Sequence, residues 1–321
     1  MTRATEQGSE AMAGGIAAAA VGCVPVSVRR FPTGARHYVF DVSFTDRPPV
    51  VVRVGGRSAQ SDMAGAVHLS DVLRPRGVRL PAILASDVRA AFPWMVLERL
   101  EGTDLGAVIG GLLDERLDRI AAAVAQAQAI TARAIAANGG SAGRYGYAVR
   151  PEQASCHAWS DVLEASLGRS RRRIASAGLF DVGLVDVAQG ALAAMRDQVD
   201  RIASIPFLHD TTTKNVIVTA GGAFSGIVDV DDLCFGDPRY PAALTLAALM
   251  AYGGPARYVA AWLRHAEQPD DRVFRLYVAL FLLDLMAEHG QTFNGNERAS
   301  TPSARAALCR AFEDGLECIR T

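Results

Sequence analysis

Apolar and polar positions follow two different periods along this chain, and the change of period divides it. An Ala/Gly-rich run ending near Gly22 predicts a first helix. The stretches VSVRRFPTGARHYVFDVSF and PPVVVRVGG are β-branched and aromatic runs broken by turn residues, which predicts strands of an antiparallel sheet. SAQSDMAGAVHLSDVLRPRG predicts a helix closing near Pro75 and Gly77, and VRLPAILASD and PWMVLERLEG predict two further strands. From Asp104 onward apolar residues recur every three or four positions. DERLDRIAAAVAQAQAITARAIAA, CHAWSDVLEASLGRSRRRIASAG and LVDVAQGALAAMRDQVDRIASI predict helices, with the Gly-rich loop NGGSAGRYGYAVRPEQ between the first two. A β island, FLHDTTTKNVIVTAGGAFSGIVDVDD, interrupts them. It reads as two strands, NVIV and FSGIVDV, joined by an AGG turn. Helices return from about Pro241 to the end.

The pattern predicts an α+β chain of two lobes. A small antiparallel-sheet lobe with its leading helix spans residues 1–100, and a larger helical lobe spans 101–321. An extended connector near residues 97–103 joins them. Proteins of this shape place their ligands in the cleft between lobes.

Composition narrows the function. At 321 residues the chain can bury a core in each lobe. A net charge of −1 argues against a nucleic-acid partner. Cys23, Cys156, Cys234, Cys309 and Cys318 show no C-x-x-C spacing, so they read as incidental thiols of a cytoplasmic protein rather than a disulfide framework or zinc site. The N-terminal segment lacks the basic start and bulky apolar centre of a signal peptide. No uninterrupted apolar run of about 18 residues predicts a membrane span. G-x-x-x-x-G-K-[ST] does not occur, which removes the P-loop.

The β island carries the chemistry. Asp210, Asn215, Asp229, Asp231 and Asp232 crowd a hairpin that also holds Lys214, the one lysine beside 32 arginines. Folding the second strand back brings Asn215 and Asp229 toward one point, and one amide plus one carboxylate suit Mg²⁺. Asp210, left unliganded, can orient an attacking hydroxyl. The Lys214 ammonium can meet a transferring phosphoryl group.

D-x-x-x-x-N, then strand, turn, strand and D-x-D, resembles the aminoglycoside phosphotransferase family, which shares the protein-kinase fold. GIVDVDDLCFGDPRYPAALTLAAL is similar to the family's I-D-x-x-x-x-x-G-D-P region. PWMVLERLEGTDL is similar to its connector ending in Gly-x-x-Leu, and FPTGARHYVFDV takes the place of its glycine turn. The resemblance covers roughly residues 25–290. It implies a bilobal, protein-kinase-like fold and phosphorylation of a small-molecule hydroxyl from ATP or GTP. Asp210 then matches the catalytic aspartate, and Asn215 and Asp229 match the Mg²⁺ ligands. Arg53 matches the phosphate-binding cation, Thr33 and Gly34 lie over the phosphates, and the backbone of Glu98 to Leu100 meets the base. The chain departs from the family in three places. Leu208-His209-Asp210 replaces His-Gly-Asp, Pro241 replaces an aspartate, and α-helical Asp62 is the nearest match to the acidic partner of Arg53. With the aspartate gone, Asp237 is the remaining brace for the catalytic loop.

For the acceptor, LYVALFLLDLMAEHGQTFNGN reads as an amphipathic helix with Asp284 and Glu288 on one face. That face is either a solvated helix end or an acidic wall for a cation such as an aminoglycoside. Asp231 and Asp232 lie nearer the chemistry. A kinase of an ordinary metabolite stays open beside an antibiotic kinase, as does a non-catalytic nucleotide-binding module. A protein kinase ranks below these, because no long activation segment follows D-x-D.

Overall fold

A computed structural model describes residues 8–32, 37–137, 143–293, 296–297 and 300–320. Helix α1 (Glu10–Val21) starts where Ser9 Oγ accepts from Met12 N at 3.1 Å and stops at Gly22 in the left-handed region, φ 72°. Strands β1 (Ser27–Arg30), β2 (Tyr38–Ser43), β3 (Val50–Val54), β4 (Ile83–Asp87) and β5 (Trp94–Glu98) form one antiparallel sheet in the order β1-β2-β3-β5-β4. Strand alternation sends Phe40, Val42, Val50, Val52, Val54 and Val96 to one face, where Ala13 and Ala17 of α1 cover them. Helix α2 (Gln60–Leu73) covers the other face with Met63 and Ala66 against Met95. Arg53 falls on this second side, between Val52 and Val54.

Past the connector come β6 (Thr103–Asp104), the short α3 (Leu105–Val108) and α4 (Asp114–Ala136). Then follow β7 (Gly146–Ala148), α5 (Trp159–Ala177), α6 (Gly183–Val199) and β8 (Ile205–Phe207). Next are β9 (Val216–Val218), β10 (Phe224–Ile227), β11 (Leu233–Gly236) and α7 (Tyr240–Tyr252). The chain finishes with α8 (Arg257–His265), α9 (Arg272–Ala287), the two-residue strands β12 (Thr292–Phe293) and β13 (Asn296–Glu297), and α10 (Pro302–Arg320). The predicted hairpin is present as β9–β10, but it is one part of a larger β framework. β6 pairs with β9, and β11 lies between β7 and β8 in a separate three-stranded sheet. The stretch read as a Gly-rich loop therefore contributes β7.

Helix α9 corrects a second expectation. It is enclosed rather than amphipathic: thirteen of its sixteen residues are buried, because apolar side chains surround its axis and only core burial accommodates that. It packs against α5, α6, α7 and α10. The two lobes share a core. Leu69 and Leu73 of α2 join Ala127, Ala134 and Ile135 of α4, together with Leu208, Ile227, Leu233 and Phe235. The cysteines described, Cys23, Cys156, Cys234 and Cys309, are free thiols. Among the described residues no helix is long and apolar enough to cross a membrane.

Candidate active site

The turn before β9 is built from buried threonines. Thr211, Thr212 and Thr213 are all buried, and the Thr212 carbonyl accepts from the amides of Asn215 (2.9 Å) and Val216 (3.2 Å). Thr212 Oγ1 donates to Asp210 Oδ1 at 2.8 Å, and Asn215 Nδ2 donates to the Asp210 carbonyl at 3.0 Å. That second bond leaves the Asn215 amide oxygen as the atom it can offer a cation. Across the hairpin Ile227 stands opposite Val216, and Val228 N donates to Asn215 O at 2.9 Å. Asp229 therefore emerges beside Asn215. It does so with φ 62°, one of two positive-φ non-glycine residues among those described. Aspartate tolerates this conformation better than most residues, and backbone strain of this kind collects at functional sites.

Arg53 reaches the same place from β3. Its guanidinium is 4% exposed. Nη1 donates to Asp231 Oδ1 at 2.6 Å, Nη2 donates to Asp231 Oδ2, and Nη2 lies 3.2 Å from Asp229 Oδ1. His37 Nε2 is 3.3 Å from Asp231 Oδ2. Burial works against the Arg53 charge, but Asp229 and Asp231 outweigh it and raise its pKa further. Burial also opposes the Asp231 charge, yet the His37 hydrogen bond and the Arg53 guanidinium hold its carboxyl well below the usual range. Asp229 moves the other way. Removal from water lifts its carboxyl, Arg53 opposes that, and the neighbouring Asp231 and Asp210 charges add to it. A bound cation would reverse this balance.

A residue the sequence analysis missed holds the loop from below. Gln128 of α4 is buried. Its Nε2 donates to Leu208 O at 2.9 Å and to Thr211 Oγ1 at 3.1 Å, while its Oε1 accepts from Leu208 N at 2.9 Å. One amide thus pairs both backbone groups of Leu208. The available signal was position: Gln128 occupies the buried stripe of an alanine-rich helix with Val124, Thr131 and Ile135. His209 lies among rings, with Tyr147 edge-on at 4.9 Å, Tyr240 stacked at 5.7 Å and Phe281 at 6.0 Å between centroids.

The remaining predicted residues divide clearly. Lys214 is exposed on the turn, with no carboxylate partner among the described residues. Thr33 and Gly34 lie outside the described residues. Glu98 belongs to the sheet: its N–H donates to Ala82 O at 2.8 Å and its Oε2 accepts from Ala82 N at 3.0 Å, so its amide is spent before any base arrives. Leu100 O accepts from Arg99 Nη1 at 2.6 Å, which takes up the last carbonyl of that strip. Arg53 and His37 occupy the Asp231 carboxylate that the sequence offered to an acceptor. Asp232 is half-buried beside it. Asp284 is also taken up internally. Ser166 Oγ donates to its Oδ2 at 2.9 Å, Ser170 Oγ donates to its Oδ1, and burial raises its carboxyl. Glu288 is half-buried at the C-terminal end of α9. Asp62 does not ion-pair with Arg53; it acts on that charge as the weakest of the contributing groups. Asp237 serves the β11–α7 junction instead of the loop, accepting from Arg239 Nη2 at 2.7 Å and from Tyr277 OH at 2.9 Å. A cavity of about 40 Å³ lies beside the site, lined by Arg53, Leu80, Met95, Leu97, Ile227 and Asp229 among others. A hollow of about 560 Å³ between α4 and α8 is lined by solvent-facing ion pairs such as Asp114–Arg257 and has none of the hairpin's residues.

A sheet lobe and a helical lobe thus meet where buried Arg53 faces Asp229, beside Asn215. Residues 27–277 match the model of the phosphotransferase enzyme family, and the chain belongs to that family. No curated protein sequence matches it. Solved structures share the fold. A thermostable mutant of aminoglycoside phosphotransferase APH(4)-Ia in its apo form is 16% identical over 96% of this chain and 98% of its own, with a TM-score of 0.64. A GDP complex of an aminoglycoside 2'-phosphotransferase-IIIa mutant is likewise 16% identical over 97% and 96%, TM-score 0.64. A ternary complex of APH(4)-Ia with AMP-PNP and hygromycin B is 17% identical over 96% and 97%, TM-score 0.63. This chain's fold is the one those aminoglycoside phosphotransferases share.

Proposed function

We propose that the protein transfers the γ-phosphoryl group of ATP or GTP to a hydroxyl of a small molecule, in the cytoplasm, without nucleic acid or membrane as partner. Residues 1–100 would serve as the nucleotide-binding lobe and 101–321 as the lobe of catalysis and acceptor binding. The carrying observation is the convergence of Asp210, Asn215, Asp229 and buried Arg53 at one end of the cleft. Asp210 orients the acceptor hydroxyl and takes its proton. Arg53 and Lys214 place positive charge where phosphate charge develops. The Leu100 N–H is the donor offered to the base. Asn215 and Asp229 would hold Mg²⁺, and their hard oxygen donors fit that ion. Bound there, the ion neutralises phosphate charge.

An antibiotic, an aminoglycoside first, is the acceptor class the fold relatives favour, since structures of that fold hold hygromycin B or kanamycin. Antibiotic resistance would follow from such an activity. Asp232 and Glu288, both half-buried, are the acids we assign to a cationic acceptor. The test is phosphate transfer with ATP and with GTP across aminoglycosides, macrolides, peptide antibiotics and hydroxylated metabolites. Asp210→Ala is expected to lower turnover by about a hundredfold or more, and Lys214→Ala by less. Tight nucleotide binding with no phosphorylated product from any acceptor would favour a non-catalytic module. No nucleotide binding at all would sink the reading.

A further inference from the structure

Arg53 occupies an unusual position for a phosphate ligand. A buried guanidinium needs acceptors for its donors, and those available come from the opposite lobe. Asp231 takes the two-nitrogen end of the fork, and Asp229 sits on Nη2. Nε is buried with no hydrogen-bond partner among the described residues. A buried, unpaired donor on a cation marks a place where a ligand supplies the acceptor. The fork is therefore held through its two terminal nitrogens, and Nε is the donor left without a partner among the described residues.

Asp231 is itself fixed from three directions. Arg53 and His37 hold its carboxylate. Its carbonyl oxygen lies so close to Gly65 of α2 that a β-carbon there would collide with it. The helix carboxylate that the sequence offered, Asp62, comes near the same group: atoms of His37, Asp62 and Asp231 lie within 4.8 Å of one another. It nevertheless makes no ion pair with Arg53 among the described residues.

We propose that Asp231 is the positioning residue for Arg53, fixing the guanidinium for the nucleotide phosphates and clasping the two lobes across the cleft. This rests on the phosphotransfer reading above. The donor of the positioning carboxylate is then the helical lobe, not α2. Arg53 is ready for a nucleotide only while the lobes are together.

Kinetics of Asp231→Asn test this, beside wild type, Asp62→Asn and Arg53→Lys. Asp231→Asn keeps the side-chain shape and removes the charge. The nucleotide KM is expected to rise about tenfold or more, the worth of a charge-assisted hydrogen bond, with a smaller fall in kcat. Asp62→Asn is expected to leave KM within about twofold. Arg53→Lys should raise KM in the wild-type background and add little on top of Asp231→Asn, because the two residues act as a unit. If Asp231→Asn does not fold, Asp231→Glu takes its place, with an intermediate KM expected from a restored but displaced charge. A nucleotide KM unchanged in either variant overturns the proposal, and a lowered KM would show instead that Asp231 sequesters Arg53. Nucleotide titration of the wild type, run in parallel, separates the two levels. Binding there with an unmoved Asp231 variant rejects the positioning role alone, whereas no binding there rejects the phosphotransfer reading and this proposal with it.

Discussion

Asp284 shows how a carboxylate changes meaning once its surroundings are known. Between Ser166 and Ser170 it accepts two hydroxyls inside a helix seam, and burial raises its pKa despite both bonds and the nearby Arg169 and Arg173. A raised native pKa means that folding favours the protonated form. The associated stability is present below the unfolded value of about 3.9 and is lost as pH rises through the native value. Asp284→Asn keeps an oxygen and an N–H for the two serines and removes the buried charge. Its melting temperature at pH 7 is expected to equal or exceed that of the wild type, with the difference closing toward about pH 4. A scan of thermal unfolding against pH reads this directly, and a large loss at pH 7 would count against it. Residue types and spacings in the sequence located Asp210, Asn215 and Asp229 correctly on one hairpin. They did not reveal the internal partners of Asp231 and Asp284, because Arg53 and the two serines reach those acids from elsewhere in the chain.

At the scale of elements, α4 supports chemistry it does not touch. Gln128 pairs the N–H and C=O of Leu208, two residues before Asp210. Gln128→Leu strands both groups in a buried site, at a cost of about 2–4 kcal/mol. Lower thermal stability and a reduced kcat with little change in nucleotide KM are the expected results. An equal rise in KM would point to a wider collapse of the cleft. Long elements were legible: α1, α2, α4, α5 and α6 fall where apolar spacing put them. The three-residue strands β7 and β8 were not, because a partner such as β11 is distant in sequence and so short a run carries no period of its own. α9 was misread for a related reason. Asp284 and Glu288, the latter just past the helix end, suggested a solvated stripe, but serines of α5 hydrogen-bond the first and the surrounding helices enclose the apolar remainder.

For the whole molecule, the two-lobed plan was readable from the shift of period near Asp104. How the lobes grip each other was not, since Arg53–Asp231 joins residues 178 apart in the chain. Strand β6 adds a second consequence. Thr103 and Asp104 pair with Val218 and Ile217, and Gly106 N donates to Thr213 O at 3.0 Å. Gly102, at φ 111°, passes so near the Val218 carbonyl that no side chain fits. The residues just after Gly102 are thus knitted to the catalytic hairpin, while β5, up to Glu98, belongs to the sheet. The covalent joint between the two is the short run of peptides from Arg99 to Gly102. Arg99 staples it to itself and to the sheet through Leu100 O, Gly102 O and Asp41. Amide hydrogens there are expected to exchange with solvent faster than those of β5 and β9 on either side, and to slow when nucleotide saturates the cleft. Arg99→Ala should widen that contrast, making the joint's stiffness adjustable by one side chain remote from every reacting atom.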